Sequence, residues 1–91
     1  MEQTAEQIIF RGHVQGVGFR YTACGIASKY ELTGFVRNRP DGTVEALMQG
    51  GLNAIDLCIG EIKDHFGRHI RDITRTSVPF NPRYTDFQIA Y

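Results

Sequence analysis

Apolar and polar residues alternate along 8–14, IIFRGHV. Ile8, Phe10, Gly12 and Val14 fall on one side, and Ile9, Arg11 and His13 on the other. A period of two predicts a strand. Gly12 inside it marks a close approach of neighbouring backbone. The period changes at Phe19. Phe19, Ala23, Ile26, Ala27 and Tyr30 form a single helical stripe over 19–30. Gly25 within that stripe costs about 1 kcal/mol relative to alanine. Residues 32–39, LTGFVRNR, predict a second strand, PDGT a turn, and 43–49, TVEALMQ, the partner strand of a hairpin. Asn53, with Asp56 three places on, resembles a capping box that starts a second helix. Ile55, Cys58, Ile59, Ile62 and Phe66 make its apolar stripe, and Gly67 suits its C-cap. Residues 70–78, IRDITRTSV, give a less regular strand, broken by Pro79 and Pro82. Residues 84–90, YTDFQIA, close the chain, with Phe87, Ile89 and Tyr91 alternating.

The order is β-α-β-β-α-β plus a short final strand. It predicts an α+β, ferredoxin-like sandwich, with two helices on one face of a mainly antiparallel sheet. Residues 1–91 read as a single domain. This fold hosts many functions, so the site has to discriminate among them.

Ten basic residues balance ten acidic ones, which gives no general nucleic-acid footprint and no acidic tail. The balance fails locally. Between Gln7 and Tyr30 there is no acid, while Arg11, Arg20 and Lys29 lie inside. The two cysteines, Cys24 and Cys58, form no CxxC pair and are expected as reduced core thiols. The polar start, MEQTAEQ, does not read as a targeting peptide, and no apolar run approaches the ~20 residues of a membrane helix. A cytoplasmic protein is expected.

The chemistry concentrates in VQGVGFR, Val14–Arg20. A strand that enters a helix through a glycine-rich turn leaves backbone N–H groups unpaired at the positive end of the helix dipole. Gly16 and Gly18 permit the positive φ that curls such a turn into an anion nest. Arg20 adds a fork-shaped cation. The stretch therefore reads as a phosphate cradle. It is not a P-loop, because GK[ST] is missing, and it lacks the third glycine of the dinucleotide fingerprint. In GFVRNRPDG, alternation sends Arg37 and Arg39 to one face and Asn38 to the other. A carboxamide donates and accepts, so Asn38 is able to orient a water molecule. A turn-favouring asparagine before PDG is the plainer reading of the same residue.

VQGVGFR, preceded by Gly12, resembles the first signature of the acylphosphatases. GFVRN followed by Gly42, Val44 and Gly50 resembles their second, and YTDFQI is similar to their closing strand. The resemblance implies hydrolysis of the carboxyl–phosphate bond of acyl phosphates without metal, cofactor or phosphoenzyme. It implies that Arg20 binds phosphate, that Asn38 positions the attacking water, and that Gln15, Gly16, Val17, Gly18 and Phe19 form the cradle with Arg20. Thr43 matches a threonine that supports the asparagine. The implied partner is a small acyl phosphate, with a phosphate or sulfate ion expected in the cradle; the charge balance and hydropathy add the expectation of no nucleic acid and no membrane, and a monomer is expected. Phe10 stands where the first signature usually has an aliphatic residue. Ala90-Tyr91 stands where a basic residue is often found, which leaves open any role of the Tyr91 carboxylate. His13 shares a strand face with Arg11 and is not expected to act as a base; His65 and His69 read as surface histidines rather than a metal pair. The alternatives are a non-catalytic anion- or RNA-binding module and a carbamoyl-phosphate-handling domain of the kind found in hydrogenase-maturation carbamoyltransferases.

Overall fold

Pairing extends the first strand beyond its apolar part. In the computed structural model, which describes residues 3–91, β1 runs Thr4–Gly12. Its polar start, Thr4–Gln7, pairs with Gly50–Leu47 of a neighbouring strand, so ladder partners rather than hydropathy set that boundary. Val14, expected in the strand, lies beyond it and is fully buried. The chain continues through α1 (Phe19–Lys29), β2 (Thr33–Asn38), β3 (Val44–Gly50) and α2 (Leu52–Phe66). A single 3-10 turn (Gly67–His69), β4 (Ile70–Ser77) and β5 (Phe87–Ile89) complete it.

The five strands form one sheet in the order β4-β1-β3-β2-β5. All pairs are antiparallel except β2–β5, which is parallel. This is the expected two-helix, mainly antiparallel architecture with an added C-terminal strand. Alternation sends Ile8, Phe10, Val36, Val44, Ala46 and Met48 to the helix side, all of them fully buried. They pack with Ala23, Ile26 and Ala27 of α1 and Ile55, Cys58, Ile59 and Ile62 of α2. Truncating a buried Ile such as Ile62 to Ala costs ~2–5 kcal/mol in cores of this kind. Glu61 ties the two helices by accepting from Lys29 Nζ and the Tyr30 hydroxyl.

Two later elements also differ from the sequence expectation. The second helix begins at Leu52 with Gly51 as its cap and no side-chain cap bond, so the capping box at Asn53 does not form. Gly51 is extended and leads straight out of β3 into the first turn, which places Asn53 already inside the helix. The closing strand is limited to Phe87–Ile89. Residues 84–86 are instead held by the connection that crosses the open face of the sheet. There Asn81 and the buried Gln49 exchange two hydrogen bonds, of 2.7 and 2.9 Å, and the Tyr84 ring lies 5.7 Å from that of Phe35. Both cysteines are free thiols. Burial pushes the Cys58 thiol up to about 12. Cys24 is half-buried and donates to the Phe87 carbonyl.

Candidate active site

Gly18 is the first residue of the site that the fold has to bend. It caps α1 in the left-handed region, at φ 75°, with no side-chain cap bond and no acid in the first helical turn. Gly16 also takes a positive φ, of 81°, and open space lies where a Cβ would be at either glycine. The turn is therefore unobstructed at both glycines, and it leads into the first amides of α1, which have no partner within the helix. Phe19 anchors the turn from below. Its ring is 2% exposed and sits 5.0 Å from that of Phe10 and 4.4 Å from that of Phe66. Only the Phe19 backbone is therefore available to the site. Val17 packs against the same core.

A cavity of about 240 Å³ lies in front of the turn. Gly16, Gly18, Arg20 and Asn38 all line it. Arg20 comes from the first turn of α1 and Asn38 from the last position of β2. Asn38 shares the helix-side face with Val36, while Arg37 projects to the open face and donates to Glu45 at 2.6 Å. Separation of these neighbours is what strand alternation requires. No Asp or Glu lines the cavity, and among the described residues no carboxylate forms an ion pair with Arg20.

Two expected residues do something that spacing alone could not show. The Gln15 side chain turns away from the turn, and its Nε2 donates to the carbonyls of Arg39 at 2.8 Å and Thr43 at 2.9 Å. It brackets the cradle to the hairpin loop that follows Asn38. Its backbone N–H is the part left for an anion. The Thr43 hydroxyl donates to Asp41 at 2.6 Å, not to Asn38. That bond, with the Thr43 N–H, holds the Asp41 carboxyl below the usual carboxylate range. Thr43 thus closes the loop, and its carbonyl receives Gln15.

Tyr21, Ile89 and Tyr91 also line the cavity and were not among the residues expected to bind phosphate. The Tyr91 ring centre lies 5.0 Å from the Arg20 guanidinium carbon, within cation–π range. Tyr91 is far from Arg20 in sequence; β5 pairs with β2 and packs on α1, and this brings the two together. His13, by contrast, lines a separate depression with His69.

The family model described as acylphosphatase matches residues 6–89. The chain belongs to the acylphosphatase family. It is 36% identical to the acylphosphatase of Picrophilus torridus over 91 residues, a match that covers 91% of this chain and 98% of that relative. It is 49% identical to the acylphosphatase of Nitrobacter hamburgensis over 55 residues, 60% of this chain. In that comparison the chain spans about half the relative's length, 56%. The crystal structure of acylphosphatase from Bacillus subtilis superposes with a TM-score of 0.89 at 37% identity, over 97% of this chain and 99% of that one. The acylphosphatase fold and the glycine turn with Arg20 thus occur together in this chain. Among the described residues, no group of His, Cys, Asp and Glu is placed to hold a metal ion.

Proposed function

We propose that this chain hydrolyses acyl phosphates to a carboxylate and inorganic phosphate. The phosphoryl group rests on the amides of residues 15–19 and on the Arg20 guanidinium, and Asn38 aims a water molecule at phosphorus. The observation that carries the reading is the convergence of Gly16, Gly18, Arg20 and Asn38 on one cavity with no Asp or Glu in its wall. Donors and the Arg20 charge, with no acidic side chain among them, suit a dianion.

Phosphoryl transfer leaves the protein little covalent work, so positioning and charge stabilisation dominate. The water oxygen bonds to phosphorus as the phosphorus–oxygen bond to the acyl group breaks. The bonding pair leaves with the carboxylate. A phosphoryl oxygen takes the water proton, and the stability of the leaving carboxylate removes the need for a strong base. Negative charge spread over the equatorial oxygens meets the turn amides and Arg20. The reaction proceeds without a metal, since these donors supply the positive charge and no Asp or Glu lines the wall to hold a cation. It proceeds without a phosphoenzyme, since water is the nucleophile. The free Cys24 and Cys58 suit a reducing, cytoplasmic setting.

The test is release of phosphate from benzoyl phosphate, with EDTA present, by wild type, Arg20→Ala and Asn38→Ala. Wild type is expected to turn over. Each variant is expected to lose ~10²–10³-fold or more, the loss typical of removing one transition-state donor. Wild-type rates in either variant would refute the assignment of that residue.

A further inference from the structure

We propose that the depression at the end of β1, adjoining the active-site turn in sequence, is a second oxyanion site that takes linear condensed phosphates. It is lined by Gly12, His13, Arg68, His69 and Arg71 and measures about 380 Å³. Every side chain in its wall is an arginine or a histidine. Among the described residues neither Arg68 nor Arg71 forms an ion pair, whereas Arg11, Arg37 and Arg75 each hold a carboxylate. The nearest acid in sequence, Asp72, is engaged by Arg11. Two guanidinium groups gathered without a counter-charge repel each other, and an anion relieves that repulsion.

The backbone assembles this cluster in a fixed way. The β1–β4 register shifts between Arg11 and Gly12. Arg11 pairs with Asp72 and Gly12 with Ile70, which leaves Arg71 as the extra residue of a bulge. Bulges re-aim a side chain, and here Arg71 is brought to the same rim as His13. The 3-10 turn Gly67–His69 supplies Arg68 and His69. The His13 N–H donates to the His69 carbonyl at 2.8 Å. Gly12 sits at φ +129°, where a Cβ would collide with that same carbonyl and lie 2.7 Å from the Arg71 nitrogen. The two histidine rings stand 5.7 Å apart. Two planar forks and two ring N–H donors around one depression suit several phosphate groups in a row better than one. Nothing in this inference depends on the reaction at Arg20.

The test titrates the 15N-labelled chain with sodium tripolyphosphate at fixed ionic strength and follows backbone amide shifts. Saturable changes are expected at Gly12, His13 and residues 67–71, with orthophosphate binding there more weakly. The double variant Arg68→Gln/Arg71→Gln is expected to weaken this binding at least ~10-fold, the scale of losing charge-assisted hydrogen bonds, while its benzoyl phosphate turnover stays at the wild-type rate. Metal-free adenosine triphosphate is the second arm. Equal affinity assigns free condensed phosphates, and tighter binding at the same amides assigns the tail of a nucleotide; both uphold the site. Shifts confined to residues 15–20 and 38, unchanged binding by the double variant, or equal affinity for orthophosphate would each overturn it.

Discussion

Replacing Gln15 with Leu removes a bracket and leaves the proposed anion contacts in place. The Gln15 amide spans the cradle and the hairpin loop through bonds of 2.8 and 2.9 Å to the carbonyls of Arg39 and Thr43. Those carbonyls keep other partners. The Arg39 N–H donates to Thr43 at 2.9 Å and the Gly42 N–H donates to Arg39 at 3.1 Å. Neither carbonyl is therefore orphaned, and each lost bond costs only its net value of about 0.5–1.5 kcal/mol. The sum, ~1–3 kcal/mol, is measurable by urea denaturation and small enough to leave the chain folded. The effect on rate should be larger than this stability loss suggests. Asn38 ends the strand just before the bracketed loop, and a displacement of ~1 Å in a positioned group costs ~10²-fold in rate. Steady-state hydrolysis of benzoyl phosphate, with inorganic phosphate as competitive inhibitor, separates the possibilities. A fall in kcat with little change in phosphate inhibition is expected. Weakened phosphate inhibition with kcat intact would refute the reasoning, because it would place the Gln15 side chain in the cradle. Loss of stability with both kinetic constants intact would reduce the bracket to a structural tie.

Burial by itself would raise the Glu45 carboxyl, but hydrogen bonds from Gln7 and Arg37 and the Arg37 charge outweigh it and hold it below its usual range. A depressed folded value means stability that is present above the ordinary glutamate range and lost as pH falls through the folded value. Glu45→Gln is therefore expected to cost ~1–2 kcal/mol at neutral pH and to flatten the acid side of the stability–pH curve, read by denaturant melts at several pH values; an unchanged curve would contradict the network. His13→Gln is expected to retain most hydrolytic activity, since His13 lines a different depression from Arg20 and Asn38; a loss of several decades would make His13 the base. Cys58, fully buried and with its thiol pushed up to about 12, should resist a thiol reagent in the folded chain and react on unfolding. Rapid native labelling at Cys58 would show that the core opens locally.

The local sequence determined most of what lies within one element. A period of two placed Ile8 and Phe10 under the helices, and a stripe at helical spacing placed Ala23, Ile26 and Ala27 over them. Gly16 and Gly18 marked the concave turn, because few other residues adopt positive φ without strain. Alternation also separated Arg37 from Asn38. Element ends were less legible. β1 starts at polar Thr4 because β3 offers ladder partners, and the capping box at Asn53 was displaced by the direct exit from β3 through Gly51. Tertiary structure alone decided what crosses between elements. The Gln15 bracket, Tyr91 beside Arg20, Asp41 taking the Thr43 hydroxyl, and the meeting of His13 with His69 and Arg71 join groups with no common period. The physical reason is that hydrophobic periodicity reports which way a side chain faces relative to its own backbone. Its partners are set by strand register, the β-bulge and loop closure, which sum over the whole chain.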